Sequence, residues 1–190
     1  MKTLVHFSLF VLMSVLINSS TRGGAAAPGK DGVNLNEPEQ SIAVEGFSIN
    51  IDIRQPNNPF AEAGQRYRFE AGKTLYLVVV LTNVSKDNLD LTDTDAESDF
   101  FVALWDSKRE PVPTTTYGKK LRLKRLSQWV IDRKVILPGK SLKYEINISR
   151  QFDLSARGTY TVQASRNVPE KEGRGRKKNL KSNMLVFELQ

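Results

Sequence analysis

Apolar and polar residues alternate without a miss from Leu142 to Ser149. Leu142, Tyr144, Ile146 and Ile148 share one side, and Lys143, Glu145, Asn147 and Ser149 the other. A period of two predicts a half-buried β-strand, because a helix would scatter both sets around its circumference. Phe47, Ile49, Ile51 and Ile53 alternate in the same way with Ser48, Asn50, Asp52 and Arg54, until Pro56-Asn57-Asn58-Pro59 stops the run. After the Arg157-Gly158 turn, Tyr160, Val162 and Ala164 alternate with Thr159, Thr161 and Gln163. Leu75 to Leu81 is apolar on both sides, which predicts a central strand, and Phe100 to Trp105 and Leu185 to Leu189 supply two more. Residues 60–72 and 167–181 predict polar loops. Between 117 and 135, Leu121, Leu123 and Leu126 interleave with Lys119, Lys120, Arg122, Lys124 and Arg125, and Trp129 to Ile131 follow. Two short edge strands are expected there, since cationic side chains suit a solvent face and discourage edge pairing, with a short amphipathic helix as the alternative.

Seven or eight short strands separated by frequent turns predict an all-β fold, a single immunoglobulin-like antiparallel sandwich over 41–190. The run Gly158-Thr159-Tyr160-Thr161-Val162 resembles the tyrosine corner of such domains, so Tyr160 is expected to be buried, its hydroxyl bonded to backbone between Asp153 and Ala156. The succession Leu81-Thr82-Asn83, Leu137-Pro138-Gly139-Lys140-Ser141, Phe152-Asp153-Leu154-Ser155 and Gly158 to Gln163 resembles immunoglobulin-like domains of exported bacterial proteins, most of unassigned function. It is also similar in layout to the bacterial intracellular proteinase inhibitor family and to the β-rich propeptide of deuterolysin-type metalloproteases. The resemblance spans residues 70–166 and rests on fold-building positions, so it implies an architecture rather than an activity. The His-rich zinc motif of the deuterolysins has no counterpart in this sequence.

Lys2 ahead of the apolar run Phe7 to Ile17, followed by small residues from Gly23 to Ala26, predicts a signal peptide over 1–26. The run is shorter than the ~20 residues a membrane-spanning helix needs. Residues 27–40, rich in Ala, Pro, Gly, Asn and Glu, are expected to form a flexible tail. Cleavage would give a secreted or periplasmic chain with no transmembrane segment. The sequence holds no cysteine, so no disulfide staples it, and a chain of this size can bury a sufficient core without one. The formal charge of +7 includes Lys2 and Arg22 of the leader, which makes the remainder modestly basic.

The single histidine, His6, lies in the predicted leader. The rest of the chain therefore lacks a Ser-His-Asp or Cys-His pair and a His/Cys zinc site, which removes most secreted hydrolase mechanisms. Two carboxylates suffice for a glycosidase, but no Asp or Glu stands inside an apolar segment that would raise its pKa, Asp132 beside Ile131 being the nearest case. No enzyme is expected. Asp93, Asp95, Glu97 and Asp99 concentrate oxygens that suit calcium, yet counted from Asp93 the sixth and twelfth positions are Ser98 and Leu104 rather than the Gly and Glu of an EF-hand. A solvated acidic loop is the reading adopted; Ca2+ is the alternative and no other cofactor is expected. Lys171, Arg174, Arg176, Lys177, Lys178 and Lys181 are placed on an exposed hairpin tip that can join Lys119 to Arg125 in a polyanion-attracting surface. The competing reading is a solubilising loop. Export and the lack of aromatics in this loop disfavour nucleic acid. Asn83-Val84-Ser85 and Asn147-Ile148-Ser149 match glycosylation acceptors. The expected function is an exported, non-catalytic binding or accessory domain that recognises a protein or an acidic polysaccharide through its loops. The alternatives are a protease inhibitor using the loop 106–118, where Pro111 and Pro113 limit the entropy lost on docking, and then a carboxylate-based enzyme.

Overall fold

Each alternating run becomes a strand over most of its length, and the apolar side of each faces one shared core. The protein is described from a computed structural model over residues 41–56, 67–124, 132–170 and 176–190; the predicted leader, the tail and Trp129 to Ile131 lie outside these residues. Strands β1 (Phe47–Arg54), β3 (Tyr76–Asn83) and β7 (Ser141–Asn147) form an antiparallel sheet in the order β1-β3-β7. Its register sets Ile51 opposite Val79 and Val79 opposite Tyr144. The facing sheet runs β2 (Tyr67–Phe69), β10 (Leu185–Leu189), β8 (Gly158–Pro169), β5 (Phe101–Trp105), with β9 (Lys177–Lys181) also paired to β8. Ile49, Ile53, Leu77 and Ile146 from the first sheet meet Val102, Leu104, Val162 and Phe187 from the second in one buried cluster.

An all-β sandwich is thus the fold. The sheets β1-β3-β7 and β10-β8-β5 follow the order of an immunoglobulin-type sandwich. Tyr160, near the start of β8, is 5% exposed and donates its hydroxyl to the Ala156 carbonyl at 2.7 Å. The described residues hold ten strands rather than seven or eight, and β2 joins β10 in parallel, a departure from the all-antiparallel expectation. A separate ribbon pairs β4 (Leu89–Asp93) with β6 (Asp132–Ile136).

Three short helices replace expected strand or loop. Helix α1 (Ala96–Asp99) starts where the Asp95 carboxylate accepts from the Ser98 N–H. Helix α2 (Thr116–Lys124) takes the first part of the 117–135 segment, where edge strands were expected with an amphipathic helix as the alternative. The Thr115 hydroxyl accepts from the Gly118 N–H and so caps the first turn, while Leu121 turns into the protein and leaves Lys119, Lys120 and Arg122 in solvent. Helix α3 (Ile148–Gln151) cuts the alternation after Asn147, whose Oδ1 accepts from the Arg150 N–H at 3.0 Å; Ile148 is still fully buried, but from a helical turn. The polar loop expected over 167–181 is also shorter: β8 continues to Pro169 and β9 returns from Lys177, because Leu180 fills the inner face.

Candidate functional site

The acidic segment folds into the protein instead of forming a solvated loop. Asp93 ends β4 with its side chain buried, and Arg166, the inward residue of β8 between Ala164 and Val168, meets it there. The Arg166 Nη2 donates to the Thr92 carbonyl at 2.6 Å and lies 3.3 Å from both Asp93 Oδ1 and Asp99 Oδ2. Its guanidinium faces the Phe100 ring at 5.0 Å and the Tyr144 ring at 5.8 Å. Lys134 of β6 donates to Asp93, and the Tyr144 hydroxyl adds a bond at 3.2 Å. Burial alone would raise Asp93, but the bond with Asp99 and the charges of Lys134 and Arg166 outweigh it and hold the carboxyl down to about 2. Burial and the bond with Asp93 push Asp99 the other way.

Each carboxylate proposed for calcium has protein partners. Asp99 accepts from the Thr94 N–H at 2.9 Å and hydroxyl at 2.7 Å, Asp95 from the Ser98 N–H and hydroxyl, and Glu97 from the Tyr117 hydroxyl. Among the described residues no three acidic side chains are placed together to hold a metal ion. The split titration of Asp93 and Asp99 has the form of an acid-base pair, yet Asp93 sits at 4% side-chain exposure and both carboxylates are occupied by Arg166.

The basic segment is sorted by the two-residue period of β9. Lys178 shares the inward parity of Leu180, and its ammonium lies 2.5 Å from Glu45 Oε1 and 3.2 Å from Glu170 Oε1. It is therefore not a free cation on a hairpin tip. Lys177, Asn179 and Lys181 take the opposite parity and are exposed on the outer face. Arg176 is exposed beside the turn, where its carbonyl accepts from the Glu170 N–H; Lys171 and Arg174 lie outside the described residues.

The outer face extends this set over two further strands. Lys181 pairs with Ser165, and Ser165 with Phe101, so the three stand in one row across β9, β8 and β5. Strands lie ~4.8 Å apart, which puts Lys181 and Phe101 about 10 Å from each other. Phe101 is 46% exposed, unusual for a strand aromatic, and Arg122 of α2 reaches over its ring at 5.5 Å. Through Phe101, Arg122 of the helix joins the surface that carries the outward β9 cations. Asn167 pairs with Asn179 in the next outward row, and Pro169 with Lys177 beyond it. Ala103, Gln163, Trp105 and Thr161 continue the face toward the other end of β5. None of the outward residues of β5, β8 and β9 is acidic.

Sequence reasoning missed Asn179 because it treated 167–181 as loop, and it placed Phe101 in a strand but, ending the β8 strand at Ala164, lacked the Ser165 pairing that sets it in a row with Lys181. The readable signal was parity, since Tyr160, Val162, Ala164, Arg166 and Val168 continue one period of two. Both glycosylation tripeptides are engaged in the fold: Asn83 is fully buried and donates to the Asp87 and Ile136 carbonyls at 2.7 Å each, and Asn147 caps α3. The segment 106–118 is tied down by Val112 N–H to the Leu104 carbonyl, by the Asp153 N–H to the Pro113 carbonyl, and by α2 itself.

No known family model matches the chain, and no curated protein matches it. Among solved structures it is similar to the C-terminal domain of Wzt, with a TM-score of 0.47 and 7% identity over 81% of this chain and 80% of that one.

Proposed function

We propose that this protein is an exported, non-catalytic binding domain that holds an acidic polysaccharide on the outer face of the β5, β8 and β9 strands. The observation that carries the reading is the continuous row from Arg122 and Phe101 through Ser165 to Lys181, extended by Asn167, Asn179 and Lys177 with no carboxylate on those strands. Cations attract carboxylate or sulfate groups, carboxamides and hydroxyls match sugar hydroxyls, and an aromatic ring offers a flat apolar surface to a sugar. A rigid sheet fixes these groups at set spacings, which a loop tip would not. The protease-inhibitor reading loses support because 106–118 is bonded to the body and enters a helix, whereas a cleft demands an extended exposed stretch.

The test is binding of the purified protein to immobilised hyaluronan and polygalacturonate, with neutral dextran as the control. Retention is expected at low salt and is lost as salt rises, because attraction between exposed charges is screened over ~10 Å at 0.1 M. Replacing Lys177 and Lys181 together by Ser should remove binding with stability held within about 0.5 kcal/mol, as for surface substitutions generally. Lys178→Ser should leave binding in place. Absence of binding by the parent protein at low salt, or its retention in the double variant, overturns the reading.

A further inference from the structure

The outward residues of β9 are Lys177, Asn179 and Lys181, a cation, an amide and a cation at every second position of one strand. At ~3.3 Å per residue the two lysine Cα atoms stand about 13 Å apart, and a single sugar ring cannot bridge them. The interval between them holds no charge. Asn179 Nδ2 donates to Asn167 Oδ1 at 3.2 Å, which ties the two exposed side chains into one unit and leaves the Asn179 carbonyl oxygen and the Asn167 amino group outside that bond. That unit offers one acceptor and one donor side by side. It is complementary to a neutral group that both donates and accepts, such as a hydroxyl pair or an acetamido group. It is a poor partner for a carboxylate, which brings acceptors alone and meets the Asn179 carbonyl oxygen.

Resting on the reading of this face as an acidic-polysaccharide site, we infer that it selects polymers whose acidic units alternate with neutral ones. The acidic units lie on Lys177 and Lys181, and the neutral unit between them lies on the Asn167 and Asn179 amides. Both lysines then meet an anion, and neither an unmatched carboxylate nor an empty amide is left between them.

The experiment compares the affinity of the full chain for hyaluronan, with a carboxylate on alternate sugars and an acetamido group on the others, and for polygalacturonate, with a carboxylate on every sugar. Both are used at equal carboxylate concentration and equal salt. Hyaluronan is expected to bind roughly tenfold more tightly, which is about 1.4 kcal/mol. Asn179→Lys places a cation in the interval and should move the preference toward polygalacturonate by a similar factor. Asn179→Ala removes both the amide offered to the neutral unit and the oxygen that a carboxylate meets, so it should weaken hyaluronan without weakening polygalacturonate. Equal or reversed preference in the parent protein, or an unmoved preference in Asn179→Lys, overturns the alternation inference and leaves the polysaccharide reading standing. Binding to neither polymer removes both.

Discussion

Arg166 is the residue that ties the second sheet to the β4-β6 ribbon and to α1 through charge. It comes from β8, its carboxylate partners come from β4 and from the end of α1, and the rings on either side come from Phe100 and Tyr144. A buried ion pair is weak evidence of net stabilisation, but removal of one partner leaves a charge without compensation and costs roughly 3–5 kcal/mol. Asp93→Ala should show that loss in urea unfolding, and Arg166→Ala a comparable one; a change below about 1 kcal/mol in both would mean that water reaches the site. The pH dependence follows from the two carboxyls. Asp93 is held at about 2 when folded against an ordinary 3.8, so its contribution is full above that ordinary value and fades as pH falls through about 2. Asp99 is raised, so its contribution is full at acid pH and is lost as pH rises through its folded value. The two oppose each other and titrate as a pair. Asp93→Ala should flatten the acid limb of the stability profile, measured as unfolding free energy between pH 2 and pH 5. The tyrosine corner adds a smaller effect at the same scale: Tyr160→Phe removes the bond to Ala156 and should cost about 0.5–1.5 kcal/mol.

At the scale of elements, α2 places Arg122 over Phe101, and Gly118 decides where α2 sits. A Cβ at position 118 would fall 2.3 Å from the Gln151 carbonyl oxygen, a backbone atom that α3 holds in place. Gly118→Ala therefore forces the two helices apart, and overpacking of this kind costs roughly 1–3 kcal/mol. The accompanying shift of Arg122 off Phe101 should reduce polymer retention, while Gly139→Ala, where nothing lies within 4 Å, affects only its own turn. Equal retention by Gly118→Ala and the parent protein would detach α2 from the binding face. The helix also shows why part of the fold was legible and part was not. Strands β1, β7 and β10 were readable from alternation, and β3 and β5 from continuous apolar runs. Strand β9 buries one residue, Leu180, and α2 buries Leu121 among exposed cations, so neither repeats its apolar position often enough to reveal its period. Strand β2 is three residues long and exists by pairing with β10, a contact far away in sequence.

For the whole molecule, one buried cluster joins both sheets and the β4-β6 ribbon, with Leu91 and Ile136 packed among residues of the sandwich. That core has no thiol in it, and Asp93, Asp95, Glu97 and Asp99 are bonded to Arg166, Lys134, Thr94, Ser98 and Tyr117. The candidate face was only half legible for a related reason: its cations are plain in the sequence, but which of them share a side depends on strand register, and Lys178 and Lys177 are neighbours in sequence yet opposite in orientation. Stability and binding should accordingly separate if the outward positions of β5, β8 and β9 hold the polymer as proposed, since the core lies on the other side of those strands. A thermal melt of the protein is expected to be unchanged by reductant, since the chain has no cysteine, and by chelator, since the carboxylates of the α1 segment already have protein partners. A fall in midpoint of about 4 °C or more with chelator would correspond to at least roughly 1 kcal/mol of metal-dependent stability in a domain of this size. Restoration of that loss by calcium, and its absence in Asp95→Ala, would place an ion at the α1 segment and require its carboxylates to leave the partners they have here.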